Sequence, residues 1–212
     1  MGYSSLRILV PPAAEPLSVD DAKAHLRVDH DSDDGLIATY ITVARDRAEQ
    51  FLNRALISRT LLFTLSPSSP PTPQLGYVFN PVLLALPLGW PQILQQPIEL
   101  PMPPVQSITQ VQQRHRDGTT LTLDPASAYY ADTVNEPGRI TLRTVGQPVG
   151  SDLGVTYVAG YGDTPGTVPV SIVHAIKLIL SFLYENRGDT DGDMPRAAET
   201  LLWPYRMVTF GG

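Results

Sequence analysis

The run Asp29-His30-Asp31-Ser32-Asp33-Asp34-Gly35 sets carboxylates at alternating positions, a pattern that can gather oxygen ligands around a calcium ion. A calcium loop also needs a glycine at its sixth position and a bidentate glutamate at its twelfth. Here Gly35 falls one residue late and Tyr40 holds the closing position. The stretch reads better as an inter-helix turn whose acids favour the positive end of the next helix. Asp189, Asp191 and Asp193 repeat the alternation with the same shortfall. His25, His30, His115 and His174 show no metal-binding spacing of the HExxH kind.

Nucleophilic chemistry is as poorly served. Ser171 and His174 lie one helical turn apart, with no acid placed to orient the imidazole and no GxSxG elbow anywhere. Gly160-Tyr161-Gly162 lacks the Lys-Ser/Thr of a phosphate loop and is not GxGxxG, so it reads as a turn. The 21 acidic residues allow many carboxylate pairs, but no feature singles one out for glycoside hydrolysis. With 0 cysteines there is no thiolate site and no disulfide framework. No catalytic, cofactor or metal residue is assigned, and the chain does not read as an enzyme.

The elements that would carry these residues are clearer than any chemistry. Val170–Arg187, VSIVHAIKLILSFLYENR, keeps Ser171, His174, Lys177, Ser181 and Glu185 at helical spacing and fills the remaining arc with Ile, Val, Leu and Phe. Pro169 stands where a helix start tolerates a missing N–H, and Gly188 where a left-handed cap is wanted. Each large apolar side chain buried there contributes roughly 1.5–3 kcal/mol. An arc this wide calls for cover from the other helices and from a second subunit.

Two helices are expected earlier, near 18–28 and 36–55, and a short one near 196–202. Ser18 and Asp21 make a capping-box start for the first. Asp33 or Asp34 caps the second, which sets Ile37, Tyr40, Ile41, Ala44, Ala48, Phe51, Leu52 and Ala55 on its apolar side and Arg45, Asp46, Glu49, Gln50 and Asn53 on its wet side.

Between the helical parts the pattern changes. Ile57–Leu65 is β-branched and aromatic, and Asp117-Gly118 marks a hairpin between Val105–His115 and Thr119–Leu123. Further short strands fall near 129–132, 139–143 and 154–158. The fold class is α+β: a helical core with an inserted small antiparallel β domain. The expected organisation is an extended arm over 1–16, helical core over 17–56 and 166–202, a β insertion over 57–165 and a tail over 203–212. The Pro-rich loop 66–104 carries Tyr77, Phe79, Leu84 and Trp90, too many large apolar residues for a merely disordered linker, and reads as a docking element for another protein surface. The tail carries Trp203, Tyr205, Arg206, Met207 and Phe210, the composition of an interface core; folding back on the helix over 170–187 is the equal alternative.

The net charge of -6 argues against grip on nucleic acid through its phosphates. No apolar run is long enough for a signal peptide or a membrane span, so the chain is expected to be soluble and made in the cytoplasm.

The ordered set EPLSVDDAKAHLRVDHDSDDGLIATYITVARDRAEQFLNRALISRTL, LPMPPVQSITQV, DGTTLTL, PGRITL, VTYVAGYG, VPVSIVHAIKLILSFLYENRG and LLWPYRM resembles the head-tail connector, or adaptor, proteins of long-tailed phages and gene transfer agents. The resemblance runs from about Leu17 to Met207, and residues 66–97 depart from it in length and proline content. It implies a structural virion protein of the head-tail neck. Such a protein forms a homo-oligomeric ring, commonly dodecameric, beneath the portal protein. There it extends the DNA channel without binding DNA specifically and offers a platform to stopper or tail-completion proteins. The carboxyl-terminal segment of relatives grips the portal, a role that falls here on Trp203 to Phe210. A stopper or tail-terminator ring is the nearest alternative, and a phage-carried glycan or peptidoglycan hydrolase the alternative of another class.

Overall fold

The computed structural model describes residues 3–66, 97–115, 117–143, 152–187 and 194–207. Within them the chain is α+β. It opens with β1 (Tyr3–Val10), α1 (Val19–Leu26), α2 (Asp34–Leu52) and β2 (Arg59–Ser66). The strands β3 (Ile98–Glu99), β4 (Val105–Arg114), β5 (Thr120–Thr122), β6 (Tyr129–Asp132), β7 (Arg139–Leu142) and β8 (Asp152–Ala159) follow. The chain returns to helix in α3 (Val170–Glu185) and α4 (Arg196–Leu202), and a single 3-10 turn, Trp203–Tyr205, follows α4.

Helix starts and stops follow local chemistry. Ser18 caps α1 by accepting from the Asp21 amide at 3.1 Å, while Arg27 at φ 58° and Asn53 at φ 54° close α1 and α2 in the left-handed conformation. α3 ends at Glu185, ahead of Gly188, which lies outside the described residues. Asn186 makes the stop instead, its side-chain amide donating to the Phe182 carbonyl at 2.9 Å. A side-chain donor satisfies the orphan carbonyl without a left-handed residue.

Two hydrophobic clusters form. One joins α1, α2, α3 and α4 through Ile37, Ile41, Ala44, Ala48, Leu52, Ile172, Ile176, Ile179 and Leu180, with Leu56 and Ile57 at its border. The other lies between an antiparallel five-stranded sheet, order β1-β2-β8-β4-β5, and a three-stranded sheet, order β3-β7-β6. Strict alternation of buried and half-buried residues along β8 puts Leu153, Val155, Tyr157 and Ala159 on the covered face. The hairpin turn at Asp117-Gly118 has Gly118 at φ 89°, and the Asp117 carboxylate accepts from the Thr119 amide at 2.8 Å.

The clusters meet where Ala55 to Ser58 run beside Gly160 to Gly162. Tyr161 donates to the Leu56 carbonyl at 3.0 Å, Ser58 to Gly162 at 2.9 Å and Ala55 to Pro103 at 3.1 Å. Gly160 takes φ 135°, and a Cβ there would sit 2.6 Å from the Ile57 carbonyl carbon and the Ser58 nitrogen. No other residue type fits that approach.

The second face of α2 departs from the sequence reading. Arg45 and Glu49 are buried, not wet, because a network neutralises them. Glu49 accepts from Arg45 at 2.9 Å, from the Leu56 amide at 2.9 Å and from buried Arg59 of β2. Arg45 also donates to Glu15 at 2.7 Å and Asp46 at 2.8 Å. Residues 3–10, read as an arm, are the edge strand paired to β2, Tyr3 opposite Ser66 and Ile8 opposite Leu61.

Candidate assembly surfaces

The acidic turn is consumed by the fold. Lys23 of α1 lies between Asp31 and Asp34, 2.8 Å from the latter, and Asp33 takes Tyr184 and Arg187 of the α3 end. The Tyr184 hydroxyl and then the Arg187 guanidinium hold the Asp33 carboxyl below the usual range, and Lys23 does the same for Asp31. An ammonium sits where a metal would be sought. Among the described residues no group of three or more His, Asp or Glu comes together to hold a metal ion.

His174 is exposed on α3 and meets His25 edge-on, ring centroids 6.3 Å apart. Burial, then Lys177 and His174, lower the His25 pKa, so this corner of α1 and α3 keeps a neutral imidazole beside its cation. A shallow cleft of about 300 Å³ opens beside Leu17, Val19, Ala38, Ile41 and Pro165, with Glu15 at its wall. Its lining is apolar, and the Glu15 carboxylate is already engaged by Arg45 and Thr42.

The described tail residues reach the end of α2. The Met207 amide donates to the Leu52 carbonyl at 2.9 Å, and Arg54 donates to the Tyr205 carbonyl at 2.6 Å. Trp203 and Phe51 stand with ring centroids 6.3 Å apart, and the Arg206 guanidinium lies over both rings at 5.4 and 4.9 Å. Tyr205 and Met207 are half-buried, whereas Trp203 stays 62 % exposed. The segment is thus fixed in place while its largest side chain faces outward. Phe210, Tyr77, Phe79, Leu84 and Trp90 lie outside the described residues.

The stretch expected as an extended arm over 1–16 holds a further apolar surface, β1. Leu6, Ile8, Leu9 and Val10 are 39, 56, 47 and 55 % exposed. Their signal was present in the apolar run of the first ten residues, but only the pairing shows that they flank a sheet edge.

Residues 16–85 match the model of the phage gp6-like head-tail connector proteins. The matched segment is similar to those connector proteins. It takes in α1, α2 and β2, and so carries the buried Arg45–Glu49–Arg59 network. No curated protein matches the sequence.

A likeness of fold to solved structures extends well beyond that segment. A chain in the virion of a native gene transfer agent particle is 21 % identical, with TM-score 0.72 over 98 % of this chain and 97 % of that one. A chain in the neck of an empty particle computed with C6 symmetry gives 21 % and 0.73 over 98 % of each. One in the neck of a native particle computed with C12 symmetry gives 21 % and 0.68, again over 98 % of each. At this identity the likeness is one of fold. None of the described helices is long and apolar enough to cross a membrane.

Proposed function

We propose that this chain is a structural protein of a virion neck, a head-tail connector that works by assembly. The observation that carries the reading is the coincidence of a match to the head-tail connector family model over residues 16–85 with a likeness of fold, over 98 % of the chain, to chains in gene transfer agent particles. Its subunits close into a homo-oligomeric ring, a dodecamer, beneath the portal protein, extend the DNA channel, and present a platform for stopper or tail-completion proteins. The helical parts, 17–56 and 166–202, act as the core of the subunit, and the β part, 57–165, as an insertion in it.

Three physical features support this reading. Head-to-tail contacts whose rotation closes produce rings. A chain of net charge -6 suits a channel wall, since like charge keeps DNA from adhering as it passes. Trp203, held by Phe51 and Arg206 yet mostly exposed, is the knob by which the tail segment engages the portal.

Native mass spectrometry of the purified chain, alone and mixed with its portal ring, tests this. Loading of subunits onto the portal as a closed ring of twelve is the expected result. A chain that stays monomeric and ignores the portal would refute the adaptor position, and binding to another neck protein in its place would indicate a stopper or terminator ring.

A further inference from the structure

We infer that β1 is a docking edge for a second copy of this chain, taking β5 of the next subunit so that the five-stranded sheet runs on from copy to copy. The inference rests on the ring reading above and names the contact that closes it.

The two edges of that sheet are unlike. β1 pairs regularly with β2 from Tyr3 to Ile8, and among the described residues no strand pairs with its outer backbone edge. At the other edge β5 covers only Gln112, Gln113 and Arg114 of β4. The rest of β4 shifts register between Val105 and Ser107 and again between Ile108 and Gln110. Bulges of this kind blunt an edge against pairing, and β1 has none before Ile8.

Both edges nevertheless leave apolar side chains on one and the same face. Leu6 stands opposite Phe63, and Ile8 opposite Leu61, on the face that the three-stranded sheet covers further in. That cover leaves Leu61 1 % exposed but Leu6 39 % and Ile8 56 %. At the far edge Leu121 stands opposite buried Gln113, on the same face, and is 53 % exposed. Joining β1 of one copy to β5 of the next brings Leu6 and Ile8 against Leu121 and pairs two open backbone edges. The contact is head-to-tail, as a ring requires. Pairing β1 with β1 would close a dimer instead, and in the register centred on Arg7, on the opposite face beside Leu62, it would set that cation against its own copy. Next to β5 that Arg7 meets the neutral Thr120 and Thr122 edge instead.

The chain has 0 cysteines, so engineered ones report cleanly. Full-length Ile8→Cys/Leu121→Cys and Leu6→Cys/Leu121→Cys chains are assembled alone and on the portal, checked for rings by native mass spectrometry, and oxidised or treated with a short bis-maleimide. A ladder extending beyond dimer on a denaturing gel is expected for a double variant, and dimer at most for a mixture of the two single variants. Rings of wild-type mass whose subunits stay monomeric on the gel in both double variants would overturn the contact while leaving the ring reading intact. Absence of rings from the wild-type chain in either setting would refute the ring reading, and the contact with it. As an independent arm, Ile8→Lys should abolish rings with unchanged circular dichroism and Tm; rings of normal mass and yield would again overturn the contact.

Discussion

The carboxylate of Asp33, the residue at the start of α2, accepts a hydrogen bond from the Tyr184 hydroxyl at 2.6 Å, across 151 positions of the chain. Arg187 adds a second bond at 2.8 Å. Asp33 occupies the N-cap position but makes no side-chain cap to its own helix. Its oxygen is spent on tying α2 to the end of α3, a tertiary use of a residue type usually read as local.

That tie is acid-sensitive. The Asp33 pKa is lowered in the folded chain, by Tyr184 first and Arg187 next, so the native state binds fewer protons there than the unfolded chain. The resulting stability is complete above the unfolded aspartate value of about 3.9 and is lost as pH falls from there through the lowered folded value. Asp33→Asn should lower Tm at neutral pH, and the gap to wild type should narrow as pH drops below about 4. A gap constant with pH, in thermal scans across that range, would show that the ionised carboxylate is not the stabilising species.

Glu49 should be among the costliest polar positions to truncate. Glu49→Ala strands the buried Arg45 and Arg59 guanidiniums and the Leu56 amide together. Removing one member of a buried ion network costs about 3–5 kcal/mol. Denaturant unfolding should show a loss of that size, and Glu49→Gln, which keeps an acceptor for Leu56, a smaller one. Near-equal stability of Glu49→Ala and wild type would mean that the two arginines find water or other acceptors.

Gly160→Ala tests the junction of the two clusters. Its φ of 135° and the 2.6 Å approach of a Cβ to Ile57 and Ser58 backbone atoms leave the alanine no accommodation without backbone movement. Strain of this class costs about 1–3 kcal/mol. Lower Tm and faster hydrogen exchange at Ser58 and Tyr161 are expected, whereas Gly35→Ala, with nothing within 4 Å of its Cβ, should leave both unchanged.

Trp203→Ala separates anchoring from folding. The side chain is 62 % exposed, so its loss should change stability by no more than about 0.5 kcal/mol. An interface anchor of this type carries about 2 kcal/mol or more of binding, a fall of roughly thirtyfold in portal affinity. Unchanged affinity in a sedimentation or interferometry measurement would remove Trp203 from the portal contact.

The sequence alone determined what depends on near neighbours. Apolar spacing in Ile37, Ile41, Ala44 and Ala48 marks the buried stripe of α2, and Ser18 with Asp21 marks the start of α1, because both signals act within one or two turns. Asp117-Gly118 set the β4–β5 hairpin for the same reason, and the ordered set of such signals carried the connector resemblance. Tertiary structure decided whatever depends on partners distant along the chain. Arg45 and Glu49 look wet by helical periodicity and become buried once Glu15 and Arg59 arrive from other elements. Residues 3–10 look like a free arm until Ser66 and Leu61 supply a register. Asp31, Asp33 and Asp34 read from sequence as an inter-helix turn, and only the folded chain shows that Lys23, Tyr184 and Arg187 pair with them. Local periodicity specifies which face of an element is apolar, but whether a charge is buried depends on countercharges that only the assembled chain brings within hydrogen-bonding distance.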